Sequence, residues 1–112
     1  MKTYTEINIK SGMPLVHEAM DYLERKLSDL RREKCKCVLI IHGYGSTGKG
    51  GAIGKAARRF LLEEKAQGHV KSVVFGEDLT IFNFEALALK SRYPELARYF
   101  TVSNEGVTAV EL

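Results

Sequence analysis

Apolar residues follow patterns that predict four β-strands. Residues 4–10 alternate, with Ile7 and Ile9 on one face and Glu6 and Asn8 on the other, as in a half-buried strand. Residues 37–41 are continuously apolar, which is typical of a central strand covered on both faces. Short β-branched runs at residues 70–75 and 106–112 predict the third and fourth strands.

Helical spacing of apolar residues predicts two main helices between these strands. The first, over residues 15–33, has its apolar face at Val16, Ala19, Met20, Leu23, Leu27 and Leu30. The second ends at Gly68 and has its apolar face at Ile53, Ala56, Ala57, Phe60 and Leu61. Two short helices are predicted at residues 82–89 and 94–99, within a long connection at about residues 76–101.

The order β-α-β-α-β, then the connection and a last strand, predicts an α/β fold. Helices between successive strands are expected to cross over, which makes those strands parallel. Because parallel strands end at the same edge of a sheet, residues 8–12 should lie beside residues 42–45. At 112 residues the chain has room for one small domain, which we place at residues 1–112 with an insert at about 76–101.

A glycine-rich segment at residues 40–54 joins the second strand to the second helix. It holds six of the ten glycines, at positions 43, 45, 48, 50, 51 and 54. Glycine lets a ligand approach bare backbone N–H groups, and the helix start adds unsatisfied N–H donors of its own. The segment is therefore interpreted as a loop that meets anions.

Positive charge is concentrated around this segment. The net charge of the chain is only +3, but residues 37–75 carry six Lys or Arg against two Asp or Glu. Positive potential beside exposed N–H groups favours a polyanionic partner, most commonly nucleic acid. The basic side chains of the second helix are Lys55, Arg58 and Arg59, which we place on the face opposite its apolar side.

Composition disfavours two other classes of protein. With 45% hydrophobic and 28% charged residues, the chain resembles a globular domain rather than a disordered one. No apolar run approaches the roughly 18 residues of a membrane span, and no leader-like segment opens the chain. We therefore expect a cytoplasmic protein without a membrane partner.

Metal binding is not predicted. Cys35 and Cys37 are too few for a zinc site. Glu77 and Asp78 follow the third strand, where we interpret them as ending the strand rather than holding Mg²⁺. No cofactor is expected, and Mg²⁺ or Mn²⁺ would enter only with a nuclease activity.

Two nucleotide-binding motifs match the glycine-rich segment in part. Residues 43–50 fit GxxxxGK, but Gly50 stands where a Walker A motif needs Ser or Thr for Mg²⁺. The same glycines fit GxGxxG, but no acidic residue closes a following strand about 20 residues later. Neither motif explains His42, which could act as acid, base or hydrogen-bond donor on a phosphodiester held by Lys49 and glycine N–H groups.

These residues resemble the Smr domain, the small MutS-related module. Residues 40–53, with the sequence IIHGYGSTGKGGAI, match the family's strand-HGxGxG-loop signature, and residues 106–110 resemble its closing G-x-T strand. Residues 7–12, followed by Glu18 and Ala19, stand in the place of its LDLHG and EA elements. The resemblance covers nearly the whole chain, apart from the insert.

The resemblance implies a two-layer α/β sandwich with a four-stranded mixed sheet and two main helices. Such a fold is similar to the C-terminal domain of translation initiation factor three. It also implies nucleic-acid binding and, in several members, endonuclease activity. Asn8 and Lys10 replace the family's Asp and His. Since Asn8 cannot act as a base, the departure favours binding over cleavage, and Lys10 strengthens phosphate binding.

Our first hypothesis is therefore a nucleic-acid-binding domain that contacts the DNA or RNA backbone. The predicted binding residues are Lys10, Ser11, Gly43, Tyr44, Gly45, Ser46, Gly48, Lys49, Lys55, Arg58 and Arg59. Tyr44 either stacks on an unpaired base or packs over its own loop. The first alternative is a nicking endonuclease with His42 as the catalytic residue, and the second is a protein-interaction module working through the insert. DNA or RNA, and the oligomeric state, are left open.

Overall fold

Four strands form one mixed sheet in the computed structural model, which describes residues 3–43, 51–100 and 104–112. The strands are β1 (Tyr4–Asn8), β2 (Cys37–Ile41), β3 (Ser72–Phe75) and β4 (Val107–Glu111). Their order across the sheet is β1-β2-β4-β3. Strands β1 and β2 are parallel, whereas β4 runs antiparallel to both β2 and β3. The predicted fold class is confirmed.

The two main helices cover one face of this sheet. Helix α1 spans Val16–Arg32 and α2 spans Gly51–Ala66. The buried helical residues on this face are Ala19, Leu23, Leu27, Leu30, Ala57 and Leu61. They pack on alternate strand residues such as Val38 and Ile40. The helical periodicity therefore predicted the apolar faces correctly, except that Val16 is exposed at the start of α1.

The insert covers the opposite face of the sheet, so the domain has a third layer in addition to the two that were predicted. It forms a 3₁₀ helix (Gly76–Asp78), helix α3 (Phe84–Arg92) and a second 3₁₀ helix (Pro94–Tyr99). Its buried residues pack on strand side chains, with Leu79, Ala86, Leu89, Tyr93 and Leu96 against Cys37, Leu39, Val74, Val107 and Ala109. Strand β2 is accordingly buried on both faces, as its continuous apolar run predicted.

The loops after β1 and β2 meet at one edge of the sheet, as the parallel arrangement predicted. Asn8 is in register with Ile41, and the backbone N–H of Ile9 donates to the carbonyl of Ile41 (3.0 Å). Strand β4 starts at the same edge, because the carbonyl of Gly106 accepts the N–H groups of His42 and Gly43, both at 3.0 Å. This edge therefore brings together three separate parts of the chain.

No helix in the described ranges is both long enough and apolar enough to cross a membrane.

Candidate nucleic-acid interface

His42 lies under helix α2 at the end of β2. Side chains alternate along a strand, so His42 points to the same face as Val38 and Ile40, the face that α2 covers. Only 2% of the residue is exposed. A Cβ atom at Gly54 would lie 3.1 Å from both His42 Nδ1 and the carbonyl oxygen of Gly43. The absence of a side chain at Gly54 is thus what allows the helix to approach the imidazole so closely.

Both ring nitrogens of His42 have partners within the chain. Nδ1 lies 2.9 Å from the carbonyl oxygen of Gly43, and Nε2 lies 2.9 Å from Oγ1 of Thr108. A carbonyl oxygen can only accept, so we assign the proton to Nδ1, and Nε2 then accepts the hydroxyl hydrogen of Thr108. The imidazole in this arrangement is neutral, and each nitrogen is already hydrogen-bonded.

Burial lowers the pKa of His42 below its ordinary value. The hydrogen bond to Gly43 and the charge of Glu77 oppose this shift, whereas the positive charge of Arg58 adds to it. The neutral form is therefore favoured in the folded protein at neutral pH, in agreement with the hydrogen-bond pattern.

An open cavity of about 210 Å³ lies over this edge of the sheet. Its lining residues are His42, Gly43, Gly51, Gly54, Lys55, Arg58 and Glu105. Gly51 is the first residue of α2, so the positive end of the helix dipole is directed at the cavity. The cavity therefore combines a helix start, two cationic side chains and one carboxylate.

Arg58 is fixed against the wall of this cavity. Its guanidinium group lies 4.5 Å from the centre of the Phe75 ring and donates two hydrogen bonds of 2.6 Å to the carboxylate of Glu77. A further bond of 3.2 Å reaches the carbonyl of Glu105. The bonds between the two side chains raise the pKa of Arg58 and lower that of Glu77. Much of the positive charge of Arg58 is therefore balanced within the chain.

Lys10 reaches the same edge from the loop after β1. The amide oxygen of Asn8 accepts the backbone N–H groups of Lys10 (2.9 Å) and Ser11 (3.0 Å), which ends β1 two residues earlier than predicted. The methylene groups of Lys10 lie over Gly43, where a Cβ atom would be 2.8 Å from Cδ of Lys10. Gly43 has a φ of +72°, a conformation that favours glycine, and the Lys10 side chain rests directly on its backbone.

The structure brings four of the predicted binding residues together, namely Lys10, Gly43, Lys55 and Arg58. Ser11 lies in the turn beside Lys10, whereas Arg59 is exposed on α2 and does not line the cavity. Arg58 was predicted to bind nucleic acid together with Lys55 and Arg59, but its guanidinium group is paired with Glu77. The remaining predictions, Tyr44, Gly45, Ser46, Gly48 and Lys49, lie outside the described residues.

Sequence reasoning missed Thr108 and Glu105. Thr108 is in register with Ile40 across the β2–β4 pair, on the face that holds His42. The G-x-T pattern of the closing strand could have pointed to Thr108, but the sequence did not show that β4 pairs with β2. Glu105 reaches the cavity for the same reason, since it lies in the turn before β4.

The described carboxylates at this edge do not fit a divalent cation. Glu77 is occupied by Arg58, and Asn8 uses its amide oxygen on its own backbone. In the part of the chain that the structure describes, no three His, Cys, Asp or Glu residues are grouped as metal ligands would be.

The sheet, the two helices on one face and the polar cavity at the strand ends define a small α/β domain with a polar cavity at the edge of its sheet, where open α/β sheets commonly bind ligands. The chain belongs to the Smr domain family, whose model matches residues 12–78. That match includes His42, Gly43, Lys55 and Arg58. Membership supports, at a coarse level, an association with nucleic acid.

A solved structure agrees with this assignment. The crystal structure of the Smr domain of Thermus thermophilus MutS2 is similar to the chain, with 21% sequence identity, a TM-score of 0.58 and 96% of each chain covered. At this identity the likeness shows the fold. The comparison with curated proteins gives no match.

Proposed function

We propose that this domain binds the backbone of DNA or RNA at the edge where β1 and β2 end. The observation that carries the proposal is the cavity over His42 and Gly43, which meets the start of α2 and lies beside Lys10 and Lys55. A phosphate group fits these surroundings, because backbone N–H groups at a helix start and lysine side chains both favour an anion. The family assignment supports nucleic acid as the source of that phosphate.

The charge for this interaction comes from Lys10 and Lys55 rather than from Arg58. Both lysine residues are exposed, and no ion pair to either is found among the described residues. Arg58, by contrast, is held by Glu77 and acts as a wall of the cavity. The carboxylate of Glu105 repels a phosphate group on its own side of the cavity. We therefore place the nucleic-acid backbone on the side of Gly43 where Lys10 lies.

His42 has a positioning role in this proposal. Its two hydrogen bonds connect the end of β2 to Gly43 and to β4, which fixes the backbone from which the glycine-rich segment starts. A general base must reach the proton that it removes, and neither nitrogen of His42 is free to do so in this arrangement. The geometry therefore supports binding better than cleavage through His42.

Lys10→Ala is expected to weaken binding and to reduce its salt dependence. Each phosphate contact contributes a slope of about −0.7 for single strands or −0.9 for B-DNA in log K against log[salt]. We expect the loss of Lys10 to reduce the slope by roughly that amount. Fluorescence anisotropy with labelled DNA and RNA, between about 50 and 200 mM salt, measures both quantities.

Lys71→Ala is the matched control for this experiment. Lys71 is also exposed, but it precedes β3 and therefore lies at the end of the sheet opposite the cavity. The proposal is contradicted if Lys71→Ala changes the slope as much as Lys10→Ala. It is also contradicted if the unmodified protein binds no nucleic acid at low salt, or binds it without salt dependence.

A second candidate function is docking of a protein through the insert. The specific observation is the exposure of Phe82 (89%) and Phe84 (90%), beside Ile81 (63%). The test is a pull-down treated with nuclease, with Phe82→Ser/Phe84→Ser and the control Leu62→Ser on α2. If a protein docks through the insert, its capture in the pull-down should persist after nuclease treatment. Capture should be lost with the double variant and kept with Leu62→Ser. Loss of the partner on nuclease treatment would exclude this candidate.

A further inference from the structure

Apolar side chains are exposed in the segment that follows β1, at the edge of the sheet where β2 also ends. Met13 is 94% exposed, Leu15 is 61% exposed and Val16 is 38% exposed. Met13 and Leu15 lie between β1 and α1, and Val16 is the first residue of α1. The core does not require them, because α1 buries its apolar face further along. Exposed apolar residues that are neighbours in the chain and bordered by polar residues form the kind of patch that marks an interaction site.

Two of these residues also break local rules of backbone structure. Met13 has a φ of +52°, in the left-handed region that favours Gly, Asn and Asp. Leu15 is the N-cap of α1, a position where Ser, Thr, Asp or Asn would cap the helix better. Neither departure is repaid by packing within the described part of the chain. Departures of this kind concentrate at functional sites.

Hydrogen bonds hold the turn in one conformation. The N–H of Met13 donates to the carbonyl of Lys10 (3.3 Å), with Gly12 at φ +80° in the third position of the turn. The carboxylate of Glu18 accepts the N–H of Leu15 (2.8 Å). Met13 is therefore presented one turn away from Lys10, whose side chain lies over Gly43.

We propose that Met13 and Leu15 contact an unstacked base of the bound nucleic acid, which makes single strands and unpaired bases the preferred ligand. This inference rests on the proposed function, because it places the base next to a phosphate near Lys10. A thioether and a branched alkyl group offer polarisable, apolar surface to the face of any base. Because the turn is already ordered, little conformational entropy is lost on contact.

The test replaces Met13 with residues that separate conformation from contact. Met13→Asn suits the left-handed backbone, so the melting temperature should rise by a few degrees. The affinity for a labelled single strand of about 16 nucleotides should nevertheless fall by roughly 5-fold to 20-fold, with the salt slope unchanged. Met13→Leu, which keeps an apolar side chain, should bind within about 2-fold of the unmodified protein.

A second pair of variants tests Leu15 in the same way. Leu15→Ser should stabilise α1 as a better N-cap and weaken binding, whereas Leu62→Ser, an exposed leucine on α2, should leave binding unchanged. Single-strand affinity that is unaffected by Met13→Asn and Leu15→Ser would overturn the inference, as would equal affinity of the unmodified protein for single strands and paired duplex. With either of these outcomes, the proposed function would still hold if the unmodified protein binds nucleic acid in a salt-dependent way. If such binding is absent, the inference and the proposed function are both wrong.

Discussion

Gly76→Ala is expected to be the most destabilising of the substitutions considered. A Cβ atom at Gly76 would overlap the carbonyl oxygen of Asn104 and lie 2.8 Å from the carbonyl oxygen of Val107. Both obstacles are backbone atoms, so no side chain can move away to make room. We expect a loss of about 3 kcal/mol or more, which is a large share of the roughly 5–15 kcal/mol that stabilises a typical domain. Urea unfolding followed by circular dichroism measures this change.

Gly68→Ala is the matched control for this variant. Gly68 has a φ of +79° after α2, but a Cβ atom there would meet nothing within 4 Å. Its replacement should therefore cost only the strain of the left-handed conformation, about 1 kcal/mol. Equal losses for the two variants would show that the contact between Gly76 and the turn before β4 is not tight.

Elements whose bounds are set by residues close together in the sequence could be predicted well. Strand β2 and the second 3₁₀ helix have the predicted bounds, residues 37–41 and 94–99, because apolar continuity and Pro94 are local signals. The meeting of the loops after β1 and β2 also followed from local rules, since a helix crossover makes the two strands parallel.

Features that depend on strand order could not be predicted in this way. Strand β4 inserts between β2 and β3, a pairing of residues far apart in sequence, and only this pairing brings Thr108 to His42. The pairing of Arg58 with Glu77 likewise requires the 3₁₀ helix to follow β3 at the same edge. The chemistry of the site was therefore harder to predict than its location, because the partners of His42 and Arg58 come from the late part of the chain.

If His42 is a positioning residue, His42→Ala and Thr108→Val should each weaken nucleic-acid binding. The alanine variant loses a buried ring with two hydrogen bonds, at a cost of about 2–4 kcal/mol. The valine variant keeps the imidazole but leaves Nε2 buried without its partner, at a cost of about 1–3 kcal/mol. His42→Ala removes the side-chain bond to the carbonyl of Gly43, and Thr108→Val removes the bond that fixes the orientation of the ring that makes it. Both changes therefore weaken the support of the backbone at Gly43. Anisotropy with labelled oligonucleotide at low salt should therefore show weaker binding for each folded variant.

A catalytic role predicts a different result for the same variants. It would leave binding intact in His42→Ala and abolish only nicking, measured on supercoiled DNA and on RNA with Mg²⁺, Mn²⁺ or chelator. Retained affinity with lost cleavage would therefore refute the positioning role.

The pH dependence of unfolding tests the buried state of His42 without any ligand. The pKa of His42 is lowered in the folded protein. Below the pKa of about 6.5 that histidine has in an unfolded chain, the unfolded state therefore binds more protons than the folded state. The contribution of neutral His42 is thus complete above about pH 6.5 and is lost as the pH falls toward the folded-state pKa, with a slope of at most about 1.4 kcal/mol per pH unit. His42→Gln should remove this slope, whereas His17→Gln, at an exposed position of α1, should keep it. A slope that persists in His42→Gln would mean that His42 is not the group that titrates, and would contradict the buried, neutral imidazole on which the positioning role depends.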